Sequence, residues 1–340
     1  DGICLKNHQT QVNETHDVII LFLRCRPGDE TGTSLDSLSI RQSQNVILDH
    51  CSASWCTDEA VSVTGGGTDK ITVQWCFITE GLNVDNHGFG SLNRGTQGAK
   101  YSYLHNLYAN NKGRNPRPGN YDVNSHHRDP EGLLLDFSNN VIYNWGGGHA
   151  GYNADAISVT RLNYVGNYLI PGADSKNTGI AYSTGSPYNQ AYFAGNYFNE
   201  KMPENQWDLV KFRDSWSDDQ VRAYKQTKPF EPCPGKKEDA LTAYQRVLET
   251  GGAILPKRDV VDSRIVKDIK NRTGRIIKSQ EDVGGWPTLK SIPAPSDEDK
   301  DGMPDKWEKK NALNPNNADD GNKVGKDGYT MLEKYLNSIK

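Results

Sequence analysis

The chain has no excess of positive charge: its formal net charge at pH 7 is −4. Nucleic acid and anionic membrane are therefore not favoured partners. It has no apolar run long enough to span a bilayer. No signal peptide opens it; Asp1-Gly2-Ile3-Cys4-Leu5 reads as the middle of a strand region. An N-terminal part, and any export signal with it, is expected before these residues. The C-x-x-C spacing of a thiolate metal site is absent, and residues 1–200 carry no amphipathic run of helical period. That second absence excludes helical repeats.

The chain is rich in turn-formers and large aromatics: 33 Gly, 16 Pro, 16 Tyr and 7 Trp against a hydrophobic fraction of 35%. Many turns, short strands and an aromatic-dotted polar surface fit these numbers, and carbohydrate handling is one use for them. A marker residue recurs at Cys4, Cys25, Cys51, Cys76, Asn106, Asn140, Asn167 and Asn196, spaced by 21 to 34 residues. Most copies follow a β-rich run, such as Val46-Ile47-Leu48 or Ile71-Thr72-Val73. A strand-bearing repeat of that period predicts an all-β, right-handed single-stranded parallel β-helix, each coil adding one rung about 4.8 Å from the last. The markers would stack as a buried thiol ladder followed by an Asn ladder at a turn. Four cysteines are then stacked small hydrophobes rather than disulfide partners, and Cys56 and Cys233 are left without an assigned pairing.

The coils carry two chemical features. Asp36, Asp58 with Glu59, and Glu80 fall near the ladder on successive coils, so stacking brings Asp36, Asp58 and Glu80 towards one face. Oxygen-only ligands select Ca²⁺ or Mg²⁺, and a solvated acidic edge is the competing reading. The second feature is Arg114-Asn115-Pro116-Arg117, framed by Gly113 and Gly119. Pro116 fixes its own φ and extends Asn115, which predicts a stiff turn at a strand end holding two guanidinium groups for a carboxylate-bearing ligand. His87 and the His126-His127-Arg128 and His149 loops read first as turn or loop residues.

Together with Leu23-Arg24-Cys25-Arg26-Pro27-Gly28-Asp29, Asp49-His50-Cys51-Ser52, Thr57-Asp58-Glu59, Asn140-Val141-Ile142-Tyr143-Asn144-Trp145-Gly146 and Val283-Gly284-Gly285-Trp286-Pro287, these residues carry a resemblance over about residues 1–290. The chain resembles polysaccharide lyase family 1, the pectate lyases, in a bacterial, Bacteroidetes-like subgroup. The resemblance implies cleavage of α-1,4-galacturonan by calcium-assisted anti β-elimination. It implies Arg114 as the base, Arg117 as the ligand of a substrate carboxylate, and Asp36 and Asp58 as calcium ligands. An arginine base implies an alkaline optimum, because its ordinary pKa lies above 12. Two departures stand out. Ser62 occupies a position where the family commonly has a further Asp, so either calcium affinity is weaker or Glu59 or Glu80 substitutes. No Lys precedes the arginines by one coil; His87 is nearest to that substrate-binding position.

Beyond about Glu204 the pattern changes. Lys237 to Thr250 predicts an amphipathic helix and Ile265 to Asn271 a shorter one. Pro293-Ala294-Pro295 reads as a linker. Asp297 to Glu308 then matches a twelve-residue calcium loop, with Asp297, Asp299, Asp301, Asp305 and Glu308 at ligand positions and Gly302 at the sharp turn. Its proline-rich lead-in forbids the incoming helix of a full EF-hand. The loop resembles those of dockerin-like and thrombospondin-type repeats. A closing helix is predicted over Gly328 to Asn337.

The expected organisation is a catalytic β-helix over 1–203, an extension packed on it over 204–290 and a calcium-binding tail over 291–340. The expected protein is a secreted, periplasmic or cell-surface lyase, monomeric, using Ca²⁺ on polygalacturonate. The alternatives are a polygalacturonase-type hydrolase, which needs a carboxylate acid and base pair, and a non-catalytic uronate-binding β-helix.

Overall fold

A computed structural model describes residues 2–122, 127–176, 178–231 and 237–339. It divides into two compact units, residues 3–288 and residues 289–340 with the first two residues.

The larger unit is a parallel β-helix with seven complete coils. A first sheet of eight short strands runs from Cys4–Leu5 to Tyr197–Phe198. A second of five runs from Thr10–Asn13 to Arg117–Asn120, and its line continues in Gly151–Tyr152, Tyr182–Ser183 and Val210–Lys211. A third of seven runs from His16–Leu21 to Gln190–Ala194. Every described pairing between these strands is parallel, and alternation supplies the core. In the third sheet, Val46, Ile71, Tyr101, Leu135, Leu162 and Ala191 lie in one register, and Leu48, Val73, Tyr103, Phe137, Tyr164 and Phe193 in another. All twelve are buried. The rings of Phe137, Tyr164 and Phe193 stack at 5.3 and 4.8 Å between centroids.

The corner between the third and first sheets explains the repeat. In successive coils the residue there is Phe22, His50, Trp75, His105, Asn139, Gly166 or Gly195, all with φ between 51° and 65°. A left-handed residue costs about 1–2 kcal/mol unless it is glycine. The next residue offsets that cost. The amide N–H of Asn106 donates to Asn140 Oδ1, that of Asn140 to Asn167 Oδ1, and that of Asn167 to Asn196 Oδ1, each at 2.9 Å. Gln206 Oε1 closes the series by accepting from the Asn196 amide at 2.8 Å.

The thiol half of the ladder differs from the sequence expectation. Cys51 and Cys76 share the Asn register, and the Cys76 amide donates to Asn106 Oδ1 at 2.9 Å. Cys25 instead pairs with Leu5 and Ala53, and Cys4 with Arg24, so Leu23 holds the ladder position in its coil. The local patterns around Cys4 and Cys25 resemble the others, but the pleat turns on a shift of one or two residues. Cys25, Cys51, Cys56 and Cys76 are buried free thiols, and Cys4 is partly exposed. Cys233 and His126 lie outside the described residues.

After the last coil come α1 (Asp218–Tyr224), α2 (Ala240–Thr250) and α3 (Val260–Asn271). The third helix starts five residues earlier than predicted, because Asp259 caps it by accepting from the Asp262 amide. Val247, Leu248, Ile265 and Ile269 of α2 and α3 form a second core with Phe77, Leu107, Val141 and Tyr168 of the first sheet. Beneath α3 lies a buried charge cluster. Arg26 donates to Asp259 at 2.5 and 3.3 Å and to Asp262 at 2.8 Å, and Ser52 Oγ donates to Asp262 at 2.6 Å. The smaller unit holds α4 (Asp305–Lys310), a turn over Ala318–Asn322 and α5 (Met331–Ser338), which Thr330 caps. No helix of the described residues is long and apolar enough to cross a membrane.

Candidate functional site

The line of the second sheet gathers the chemistry. Asp36 ends the loop entering Leu38–Arg41, and Asp58 and Glu59 lie one coil on, at the start of Glu59–Thr64. Carboxylate oxygens of Asp36, Asp58 and Glu59 lie within 4.8 Å of one another, close enough to share one cation. The Glu59 amide donates to Asp36 Oδ1 at 3.0 Å, which ties the two coils together at this point. Ser34 Oγ donates to Asp58 Oδ2 at 3.3 Å. Burial and the adjacent Asp58 push the Asp36 carboxyl up to about 7, against the opposing pull of Arg114. The donor set is all oxygen, which suits Ca²⁺ or Mg²⁺.

Arg114 closes the group. Its backbone is left-handed at φ 57°, so the turn aims the side chain back over the preceding coils. The guanidinium pairs with Glu59 and lies on the ring of Phe89, 3.9 Å from its centroid. Three carboxylates facing one guanidinium leave the cluster short of positive charge. Ser62 is buried within the strand that starts at Glu59, paired to Ser39 and Leu92. Glu59 therefore supplies the third carboxylate beside Asp36 and Asp58.

Arg117 starts Arg117–Asn120 and donates to Asp155 Oδ1 at 3.3 Å, with Tyr152 5.9 Å beneath its guanidinium. Arg94, one coil back, donates to the other Asp155 oxygen at 3.3 Å. One carboxylate thus holds two arginines side by side. Beyond it a cavity of about 580 Å³ is lined by His149, Tyr152, Asn153, Lys211 and Arg213 among others. On the other side His87, exposed, sets its ring edge-on to Phe89 at 5.1 Å. With Thr57, Ser34 and Asp85 it lines a recess of about 330 Å³. Its Nδ1 lies 3.4 Å from the Asp85 carbonyl.

Glu80 takes no part. It sits at the corner after Phe77–Thr79 with φ 53°, which turns it away from the acidic trio. There it is buried, accepts from Arg264 of α3 at 2.6 and 2.9 Å and from Trp55 Nε1 at 3.0 Å, and anchors the C-terminal helices. Phe89, Arg94, Tyr152 and Asp155 are site residues that the sequence reading missed. Only stacking reveals them, since each reaches the arginines across one or more coils.

In the smaller unit Asp297, Asp299 and Asp301 form a second trio with oxygens within 4.8 Å of one another. Gly302, at φ 94°, makes the turn expected of it. Asp305 does not join the trio: its oxygens accept from Ser296 Oγ at 2.7 Å and the Glu298 amide at 2.8 Å. Glu308 is fully buried, and burial together with Asp299, Asp301 and Asp320 pushes its carboxyl up to about 7.

No family model matches the chain. A probable pectate lyase C of Aspergillus flavus is 31% identical over 343 residues, covering 100% of this chain and 76% of the fungal protein. The probable pectate lyase C of Aspergillus fumigatus is 30% identical over 341 residues, with the same coverage. Among solved structures, the pectate lyase of Bacillus sp. N165 in complex with trigalacturonate aligns over 73% of this chain and 71% of its own. That alignment has 17% identity and a TM-score of 0.47, too low to bear on the site. Identity at this level to the fungal proteins along the whole of this chain, on a parallel β-helix carrying an acidic trio beside paired arginines, settles the matter: the chain belongs to the pectate lyase family.

Proposed function

We propose that this lyase cleaves α-1,4-galacturonan by anti β-elimination, with Arg114 as the base and a cation held by Asp36, Asp58 and Glu59. The observation that carries the reading is the position of Arg114, between that trio and the Arg94–Asp155–Arg117 group. Ca²⁺ held by the trio would neutralise a uronate carboxylate and so acidify the neighbouring C5 proton. Glu59, engaged by such a cation, would let go of Arg114 and leave the guanidinium to face the sugar. Phe89 keeps it in plane and fixes its approach. Arg114 in its neutral form, which alkaline pH supplies, then takes the C5 proton; the electron pair forms the C4–C5 double bond, and the departing C4 oxygen takes a proton from water. Arg117, steadied by Asp155, accepts a carboxylate side-on as a bidentate donor.

The polymer lies along the second sheet. His87 lines one end of its path, and Lys211 and Arg213 offer cations for further carboxylates at the other. A polymer of this size is met outside the cytoplasm, which agrees with export to the cell surface, periplasm or medium. The tail is a calcium module built on Asp297, Asp299, Asp301 and Glu308, structural or for attachment rather than catalytic.

The test is ultraviolet absorbance of unsaturated product from polygalacturonate, with Ca²⁺ and with chelator. A calcium-dependent rise in the parent and none in Arg114→Ala is expected. Equal rates in Arg114→Ala would remove Arg114 as the base. Reducing ends formed without unsaturation would point to hydrolysis.

A further inference from the structure

The loop Asp297–Glu308 is held in shape by its own aspartates, each of which spends one oxygen on the backbone. Asp297 Oδ2 accepts from the Gly302 amide at 3.1 Å, Asp299 Oδ1 from the Asp301 amide at 3.3 Å and Asp301 Oδ1 from the Met303 amide at 2.8 Å. The other oxygen of each, Asp297 Oδ1, Asp299 Oδ2 and Asp301 Oδ2, is buried with no hydrogen-bond partner among the described residues. Both oxygens of Glu308 are in the same state, on a side chain with no solvent exposure. An ionised carboxylate buried without partners costs several kcal/mol unless a cation meets it.

A residue outside the twelve-residue loop points to the same place. Asp320, in the turn Ala318–Asn322, divides its oxygens in the same way. Oδ2 accepts from the Asn314 amide at 2.8 Å, and Oδ1 is buried and unpartnered. Oxygens of Asp301, Glu308 and Asp320 lie within 4.8 Å of one another. The next residue, Gly321, has no side chain because none fits: a Cβ there would fall 2.8 Å from Asp301 Oδ2. The turn is therefore pressed onto the loop at the carboxylates themselves.

We propose that Asp320 is a direct ligand of the tail's Ca²⁺, which is bound in one cage by the free oxygens of Asp297, Asp299, Asp301, Glu308 and Asp320, with Asp305 outside it. The inference rests on the reading of the tail as a calcium module. Six buried free oxygens match the six to eight that Ca²⁺ takes. The cage joins two stretches of chain, so the ion acts as a crosslink between the loop and the turn. It differs from the ligand set that spacing alone suggests, in which Asp305 takes the ninth position.

The experiment is calorimetric titration of Ca²⁺ into the chelator-stripped full chain carrying Asp58→Asn, which weakens the catalytic site. Asp58→Asn/Asp301→Asn serves as the blank for the tail. One tail-dependent ion is expected. Asp320→Asn, which keeps an oxygen for the Asn314 amide, should weaken it by at least about tenfold, as loss of a charged ligand does. Asp305→Asn should change it less than about threefold. Gly321→Ala retains every ligand and should weaken binding by crowding Asp301. Terbium luminescence sensitised through Trp307 should fall in parallel, and gives a readout independent of lyase activity. Failure of the parent to bind any tail-dependent ion would overturn the calcium-module reading itself. A second tail-dependent ion, or an Asp320→Asn affinity within about threefold of the parent, would leave that reading standing and overturn the role of Asp320.

Discussion

Removing Asp262 should unlock the C-terminal helices from the β-helix, at a cost that the structure allows one to bracket. Arg24, Arg26, Asp259 and Asp262 form a charge-balanced group with essentially no solvent contact. Burial alone pushes both carboxyls up. For Asp259, Arg26, the Asp262 amide and Arg24 together more than offset it and the carboxyl falls below its usual range; Asp262 stays above its own. Arg24 also donates to the carbonyls of Ala253 and Lys257 at 2.6 and 2.7 Å, so it stays in place whatever happens at Asp262. Asp262→Leu leaves two guanidinium groups against one carboxylate and takes the acceptor from the Ser52 hydroxyl, whose oxygen still accepts from the Ala253 amide at 2.8 Å. Truncating one partner of a buried pair costs about 3–5 kcal/mol. Arg26→Met alone should cost a similar amount, since it leaves Asp262 uncompensated. The double variant Arg26→Met/Asp262→Leu restores balance, with Arg24 facing Asp259. Apolar replacement of a buried pair is often near neutral, so the double variant should be more stable than either single one. The assay is equilibrium urea unfolding followed by tryptophan fluorescence, which includes the edge-on pair Trp55 and Trp286 at 5.7 Å. Proteolysis within residues 240–271 would track the same release. A double variant destabilised by the sum of the singles would refute the reasoning, because it would mean that the four groups act independently.

Three further outcomes follow from the site and the ladder. Arg117→Lys should raise KM for polygalacturonate several-fold with a smaller effect on kcat, because a lysine cannot make the side-on pair; initial rates across substrate concentration decide it. Asn140→Ala leaves the buried Asn106 amide without its acceptor and removes the bonds from Asn140 Nδ2 to Tyr103 O and Asn167. A loss of about 2–4 kcal/mol is expected in urea unfolding. The raised Asp36 carboxyl makes calcium uptake at the trio proton-linked. In the calcium-free protein, Asp36 retains its proton up to about pH 7, above the unfolded range. Its contribution to stability is therefore full below the unfolded pKa near 4 and is lost as pH rises through about 7. Calcium should reverse that loss, and its affinity should climb towards pH 7 and then level. Titration of the tail-silent Asp301→Asn variant in buffers of different ionisation enthalpy should register about one proton released per ion at pH 6, and none when Asp36→Asn is added; an intact tail adds the proton of Glu308, whose carboxyl is also raised to about 7.

The parts legible in the sequence were those written in local spacing. The Asn ladder could be read because one residue type recurs where one amide geometry recurs. The arginine turn was legible because Pro116 constrains its neighbours. The thiol half was read out of register because Cys4 and Cys25 match the local pattern but not the pleat. Glu80 was placed on the wrong face because a left-handed corner reverses the direction that strand alternation would give it. Asp155 and Phe89 gave no signal, since their roles depend on which coil lies above which. Asp320 escaped because the twelve-residue calcium pattern ends before it.

The ladder's last rung has a consequence for how such a chain changes length. Gln206 gives the Asn196 amide what another Asn would give it, and its own side-chain amide donates back to the Asn196 carbonyl at 3.2 Å. A substitute of that kind does not register how many rungs precede it. Excising residues 167–195 would bring Asn196 directly under Asn140, with every amide in the series still answered. The β-helix is in this respect a text from which a whole line can be struck without spoiling the grammar, provided that the line is not one that holds the arginines.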